Sequence, residues 1–423
     1  MLRKLLITTC LMALASAGFA WDFVPALDIN GALTYPTLVT AETSQLDKKL
    51  GAEAGIAGSF MANTDILPRL WFIPTFTLNY SGTAQPLNID DRRFLFSQWL
   101  DIYLSYGFNY EIMGDAWEAR ARGLFRKSFI QQTNDEAIGT GLYDYRDLGF
   151  YAENAVRLDA WPGSQEITAG YKYIDRRFPN YESLLGMIDP DVLGGTLNAE
   201  ATKEKDNLTH SFYVSDSLKW GDSGWFMILS FNYDYIPYLE QRIIRPDGTP
   251  DEKARRIDRF AVFEIKAPYY AGRVSGAEFG YRFTARTTGQ NYYDSLNNLD
   301  PSDDEFIEGY YDYGEHAISA SLTYEFPFRL FTEYKPAALI GIAYNTLTYT
   351  NRNSKNIDGT YSKSRQNDKG YTLSLSIRQN ITSFWNYSIN CFFSRAMSNM
   401  KYEAYGSYNY SYLTLSLGTG LSF

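Results

Sequence analysis

From residue 26 to residue 423, apolar and polar side chains alternate with a period of two, the signature of strands with two unlike faces. Strand-like stretches fall at 26–35, 50–61, 69–80, 94–110, 116–129, 146–158, 165–176, 208–218, 225–235, 257–267, 274–286, 313–326, 336–349, 369–381, 385–397 and 408–423, about sixteen in all. The connections between them alternate strictly between short and long. The short ones carry turn residues, as in Met113-Gly114-Asp115, Trp161-Pro162-Gly163-Ser164 and Gly221-Asp222-Ser223-Gly224. The long ones, 130–145, 177–207, 236–256, 287–312 and 350–368, are polar and often acidic. Compact domains seldom hold so many long irregular connections. A sheet whose strands all run up and down, with turns at one end and loops at the other, needs them.

The two faces differ in kind. In 94–110, Phe94, Phe96, Leu100, Ile102, Leu104, Tyr106 and Phe108 oppose Ser97, Trp99, Asp101, Tyr103, Ser105 and Asn109. In 116–129, Trp117, Ala119, Ala121, Gly123 and Phe125 oppose Glu118, Arg120, Arg122 and Arg126. In 225–235, Trp225, Met227, Leu229, Phe231, Tyr233 and Tyr235 oppose Ser230, Asn232 and Asp234. Alternation alone fits a soluble sandwich as well as a barrel in lipid. One hairpin also predicts its own register. Centring 146–158 and 165–176 on the Trp161-Pro162 turn sets Val156 beside Ile167 and Phe150 beside Tyr173 on the apolar face. On the polar face it sets Arg157 opposite Glu166 and Asp147 opposite Arg176, so opposite charges meet.

The two ends of the chain separate sandwich from barrel. Residues 1–20 read as a secretory signal: Arg3 and Lys4, an apolar run from Leu5 to Ala15, and small residues that offer cleavage after Ala17 or after Ala20. Cys10 sits inside the apolar run, away from where a lipid anchor is attached. Beyond residue 20 nothing approaches the ~18 apolar residues of a spanning helix. The aromatic share is 17%, an excess that interfacial girdles explain. The formal charge of −10 and pI near 4.9 argue against a nucleic-acid partner. Once Cys10 is removed Cys391 stands alone, so no internal disulfide forms. At the other end Leu413, Leu415, Leu417, Leu421 and Phe423 share one face, with Tyr410, Tyr412, Thr414 and Ser416 on the other. This resembles the terminal strand of bacterial outer-membrane proteins, whose alternation and final aromatic residue are read by the barrel-assembly machinery. The resemblance implies that Phe423 is an assembly signal. It is specific for the class and names no family within it.

Three constellations bear on chemistry. The first is the charged face expected to line the lumen: Asp101, Arg120, Arg122, Arg126, Glu153, Lys172, Arg176, Glu278 and Arg282. Separated charges of this kind make a filtering field, or else a ladder of ion pairs that stiffens the wall. The second is a hydrolase site built on His210 or His316, the two histidines of the chain. His210 and Ser211 point to opposite faces of a strand, and His316 shares its face with Ile318, Ala320 and Leu322. Both fit an aromatic girdle better than a catalytic site. The third is Asp300-Pro301-Ser302-Asp303-Asp304, which starts like a calcium loop. It has Glu305 where the glycine and Tyr311 where the glutamate should stand, so no metal or cofactor is expected.

The expectation is an all-β protein: residues 1–20 a cleaved signal, 21–423 one antiparallel up-and-down transmembrane barrel of about sixteen strands. Barrels of this size are wide enough for water. The class implies a passive channel for small hydrophilic solutes, without catalysis. The sequence identifies no loop that narrows the pore; segment 177–207 is the best candidate for one and 130–145 the second. Lipid, lipopolysaccharide and the assembly machinery are the expected partners, and a homotrimer the expected assembly. A non-conducting adhesin or a scaffold for an export partner is the other reading. The mature chain should fractionate with the outer membrane and keep β structure in detergent. Recovery as a soluble periplasmic protein contradicts the assignment.

Overall fold

A computed structural model describes residues 21–40, 51–88, 93–131, 137–160, 163–181, 203–221, 223–271, 274–294, 305–330, 332–402 and 408–423. The signal segment, the Trp161-Pro162 turn, Asp222, the Asp300–Asp304 acidic loop and most of 177–207 lie outside the described residues.

The strands are β1 (Trp21–Thr40), β2 (Gly51–Leu67), β3 (Leu70–Asn88), β4 (Arg93–Glu111), β5 (Trp117–Gln131), β6 (Tyr145–Ala160), β7 (Gly163–Arg177), β8 (Asn207–Lys219) and β9 (Phe226–Ile244). They continue with β10 (Pro250–Ala271), β11 (Val274–Thr288), β12 (Tyr292–Asp294), β13 (Glu305–Ile307), β14 (Tyr313–Glu325), β15 (Ala337–Lys355), β16 (Tyr361–Asn380), β17 (Trp385–Ser398) and β18 (Tyr410–Ser422). Each pairs antiparallel with its neighbour in sequence, except that β12 and β13 form a separate small hairpin between β11 and β14. The other sixteen strands close into one barrel by pairing β1 with β18, from Asp28↔Ser422 to Thr40↔Ser411. All sixteen strands read from the sequence are present. The β6–β7 register agrees with the charge pairing: Arg157 faces Glu166, Asp147 faces Arg176 and Val156 faces Ile167.

Large apolar side chains cover the outside. Phe150, Phe212, Phe231, Phe279, Ile342, Leu373, Leu417 and many others are largely exposed, as suits a surface that meets hydrocarbon. Aromatic clusters ring this belt. Near the chain termini Trp225 meets Tyr269 at 4.6 Å, and Phe423 stacks on Phe384 at 5.4 Å. Toward the other end Tyr171, Tyr173 and Tyr235 surround His210.

Two expectations about connections need correction. Segments 236–256 and 350–368 are not open loops. The strand pairs β9–β10 and β15–β16 run on through them and turn at 245–249 and 356–360. The tips share one chemistry. Asp247 accepts the Thr249 amide and hydroxyl, Asp358 accepts those of Thr360, and Gly248 and Gly359 take φ of 79° and 85°. Asp-Gly is a strong hairpin signal, and only a glycine adopts that backbone without strain. The alternation of lengths is also not strict. The 326–336 connection lies at the end where turns are expected, and it is held by Phe326 against Tyr324 and Phe328 and by Thr332 Oγ1 donating to the Asn380 carbonyl.

At the loop end one device recurs. Asp144, Asp206 and Asp312 each stand just before a descending strand, β6, β8 and β14. Each carboxylate accepts a backbone N–H from the end of the preceding ascending strand: Ile130 at 2.7 Å, Phe178 at 2.8 Å and Thr288 at 2.6 Å. A strand leaving its ladder has an amide with no partner, and an ionised acceptor satisfies it strongly.

The seam between the first and last strands ends on Phe423, whose backbone N–H donates to the Leu27 carbonyl at 2.9 Å and whose carbonyl accepts from Leu27 at 3.1 Å. Phe423→Asp puts a charge on the lipid-facing end of that seam. Heat-modifiable folded barrel on gels should fall several-fold, whereas a substitution of Asp247 at a hairpin tip should leave it near wild type. Equal yields for Phe423→Asp and wild type contradict this.

Candidate functional site

Because partners across a ladder share a face, the pairing registers define the lumen wall. All nine charged residues read from the sequence, Asp101, Arg120, Arg122, Arg126, Glu153, Lys172, Arg176, Glu278 and Arg282, lie on the face opposite the apolar belt. They are not equivalent. Arg120 donates to Glu118 at 2.8 Å and to Glu153 at 3.0 Å. Tyr213 also donates to Glu153. Arg126 grips Asp101 at 2.7 Å, and Arg176 binds both oxygens of Asp147 at 2.8 and 2.9 Å. The Tyr145 ring lies under both guanidinium groups, 5.4 Å from Arg126 and 4.4 Å from Arg176. Arg157 extends the network to Glu166 at 2.7 Å and to Glu118 at 3.6 Å.

Arg122, Lys172 and Arg282 have no carboxylate within 4.0 Å among the described residues. Arg122 and Lys172 flank Tyr151 in one cross-strand row, and the Arg122 guanidinium sits 5.9 Å from the Tyr151 ring. The charged wall therefore divides into a neutralised ladder and a pair of half-buried cations, Arg122 and Lys172, without a carboxylate beside them. Side-chain reach, which charge counting along a strand ignores, makes the division.

Glycines set where the long side chains lie. A Cβ on Gly170 would come within 2.5 Å of the Tyr213 ring, which crosses that strand to reach Glu153. A Cβ on Gly107 would stand 3.1 Å from Arg122 Cγ. The missing side chains let Tyr213 and Arg122 lie flat along the wall.

The opposite wall has a different composition. On β14–β18 and β1–β3 the lumen face is mostly Ser, Thr, Asn, Gly and Ala, as in Ser374, Ser376, Asn390, Ser416, Gly418, Asn30, Gly55, Ala57, Asn79 and Ser81. Sequence reading passed over it because it carries little charge. The signal was present as the small residues that alternate with Leu and Ile in 369–381 and 408–423. Two recesses of about 410 and about 490 Å³ follow this wall. Apart from β12 and β13, every described strand belongs to the wall.

The histidines lie on the outer face. His210 Nδ1 is 2.7 Å from the Tyr171 hydroxyl, and His316 Nδ1 is 2.9 Å from that of Tyr281. Each takes its place in an aromatic girdle, as the sequence implies. Among the described residues no cluster of His, Cys, Asp and Glu is arranged to hold a metal.

At the loop end Asp294 of the β12–β13 hairpin accepts from Tyr361 at 2.7 Å and pairs with Lys355. Burial, and then the bond to Asp294, push the Tyr361 phenol far above its ordinary range, so it remains a donor. Arg352 stacks on Tyr310 at 4.5 Å and on Tyr349 at 4.8 Å. These contacts fasten the hairpin to β15 and β16 and make the rim on that side a packed structure.

No protein-family model matches the chain, and neither does any curated protein. Among solved structures it is similar to Pseudomonas putida OprB in a high-pH structure, with 13% identity, 98% of this chain and 96% of that one covered, and a TM-score of 0.45. It is also similar to the outer membrane protein opdK from Pseudomonas aeruginosa (8% identity, 95% and 99% covered, TM-score 0.42). A third is Salmonella typhi OmpF in complex with daunomycin (11% identity, 95% and 97% covered, TM-score 0.41). The assignment rests on the geometry of the chain itself. It is a closed sixteen-stranded antiparallel barrel of the outer-membrane kind, apolar outside and polar within.

Proposed function

We propose that the barrel is a passive channel for small hydrophilic solutes, with its hairpin end outside the cell and residues 1–20 removed on export. The observation that carries this reading is the two-sided lumen. One wall is a charged ladder, and the facing wall bears side chains too short to fill the space in front of it. A barrel that served only as a scaffold has no need of such a wall. Solutes would pass beside the short side chains under the field of the long ones. Absence of catalysis and assembly as a homotrimer belong to the same proposal.

The field has a sign. Glu118, Asp101 and Asp147 neutralise Arg120, Arg126 and Arg176, which leaves Arg122 and Lys172 on β5 and β7 as half-buried cations without a carboxylate within 4.0 Å among the described residues. Field lines concentrate in an aqueous path between low-dielectric walls, so these two outweigh the distant acidic loops, which salt screens within ~10 Å.

In a planar bilayer the purified barrel should conduct steadily. Arg122→Ala combined with Lys172→Ala should shift the reversal potential in a salt gradient toward cations, with the anion preference falling by about two-fold or more. Arg120→Ala should act differently. It leaves Glu153 held by Tyr213 alone and Glu118 by Arg157 alone, so it should cost about 1–3 kcal/mol of stability, read as a lower melting temperature in detergent. A barrel that does not conduct removes the channel reading and favours the scaffold. An unchanged reversal potential in the double variant removes the role of these two cations.

A further inference from the structure

Trp99 differs from the other exposed tryptophans of the barrel, and from Trp71, which shares its lumen face but is only half-exposed. Trp117, Trp225 and Trp385 belong to the outer surface, where an exposed indole meets lipid and interface. Trp99 lies on the lumen face of β4, between Ser81 of β3 and Ile130 of β5. Its Nε1 donates to Ser128 Oγ at 2.5 Å, which fixes the ring, and Ser128 is fully buried. The indole nevertheless stays 45% exposed. An apolar ring held rigid and open inside an aqueous lumen is a surface waiting for a ligand.

What surrounds the ring specifies the ligand. The recess before it, about 410 Å³, is lined by Asn30, Glu53, Asn79, Asp101 and Arg126 over a floor that includes Gly55. Asn30, Glu53 and Asn79 are exposed, and their side chains make no hydrogen bond to another described residue. Asn30 folds over Gly55, where a Cβ would come within 2.6 Å of its Oδ1. Asp101 is neutralised by Arg126, but Glu53 has no cation within 4.0 Å among the described residues. The second recess, about 490 Å³, shares Asn30, Glu53 and Ala57 with the first and continues across β1, β18 and β17 toward Arg378. Joined, they make a groove that runs along the small-residue wall across seven neighbouring strands, β4 to β1 and on to β16.

The geometry points to a binding site for a neutral oligosaccharide in this groove, with the face of Trp99 as its stacking platform. A pyranose ring has a C–H face that packs on a π surface, and hydroxyls on its rim that both donate and accept. Asn30 and Asn79 offer both kinds of partner, Glu53 accepts, and Arg126 donates from beside the ring. A planar apolar ligand would leave two amides and a carboxylate without partners. An anionic sugar would meet the unpaired Glu53 and, farther along, Asp28. A groove with one aromatic platform and several spaced polar groups suits a chain of rings better than a single ring. This inference rests on the open-channel reading, because the sugar must enter through the lumen.

The test uses the purified full barrel and a panel of neutral hexaoses (malto-, cello-, xylo- and manno-), with hexagalacturonate as the anionic control. Binding is measured by calorimetry in detergent, and block of ion current in a planar bilayer. At least one neutral hexaose should bind saturably and block current with matching concentration dependence. Trp99→Ala should weaken both at least tenfold, and hexagalacturonate should bind at least tenfold more weakly than the best neutral sugar. Heat-modifiability on gels shows whether Trp99→Ala folds, and Asn79→Leu, which carries the same expectation of weaker binding, decides if it does not. The inference is overturned if no neutral hexaose binds, or if the folded variants bind as wild type does. Binding without conductance would keep the site and remove the channel; conductance without binding would keep the channel and remove the site.

Discussion

In hydrocarbon no water satisfies an open strand edge, so a membrane sheet must close on itself or fail. Everything else in this molecule follows from the seam between β1 and β18. It runs from Asp28↔Ser422 to Thr40↔Ser411, with a register shift between Pro36 and Leu38, and Phe423 ties its end to Leu27 through both backbone groups. Once the ring is closed every strand has one face toward lipid and one toward the lumen. The period-two pattern then becomes a boundary between two solvents. The same demand for paired amides explains the loop end, where Asp144, Asp206 and Asp312 take up N–H groups that leave the ladder.

Closure fixes the cylinder, and side-chain length decides what is left inside it. On β4–β8 the inward residues are long, and they lie along the wall wherever a glycine gives room, Tyr213 over Gly170 and Arg122 beside Gly107. Their charges mostly cancel within the wall. On β16–β18 and β1–β3 the inward residues are short, and hydrogen bonds such as Ser376 to Asn390 at 2.5 Å and Asn390 to Ser416 at 3.2 Å keep them close to the backbone. The two recesses of about 410 and about 490 Å³ lie against this second wall.

Much of this was legible in the sequence because the barrel is written in local periodicity. All sixteen strands and the β6–β7 register follow from alternation and from Arg157 and Asp147 each needing an opposite partner. The ends of the strands were less legible. Strands β9, β10, β15 and β16 continue beyond the apolar belt with polar residues on both faces, so the pattern fades although the pairing does not. The Asp247-Gly248 and Asp358-Gly359 dipeptides carried that information. The wall charges were found by parity, but which of them cancel depends on reach across strands that parity does not describe. Trp99 was placed on the inward face from the start. Its significance needed the floor of Gly55, Ala57 and Ser81, which comes from the neighbouring strands β2 and β3.

The central claim is that one face of each strand meets water through the full height of the barrel while the other meets lipid. Spin labels on single cysteines along β16, in a Cys391→Ser background, test it most directly. Collision with a water-soluble nickel complex should peak at Thr372, Ser374 and Ser376. Collision with oxygen should peak at Leu373, Leu375 and Ile377, whose side chains are now 47%, 41% and 38% exposed on the outer face. A reversed phase, or equal protection of both sets from the nickel complex, would contradict the account.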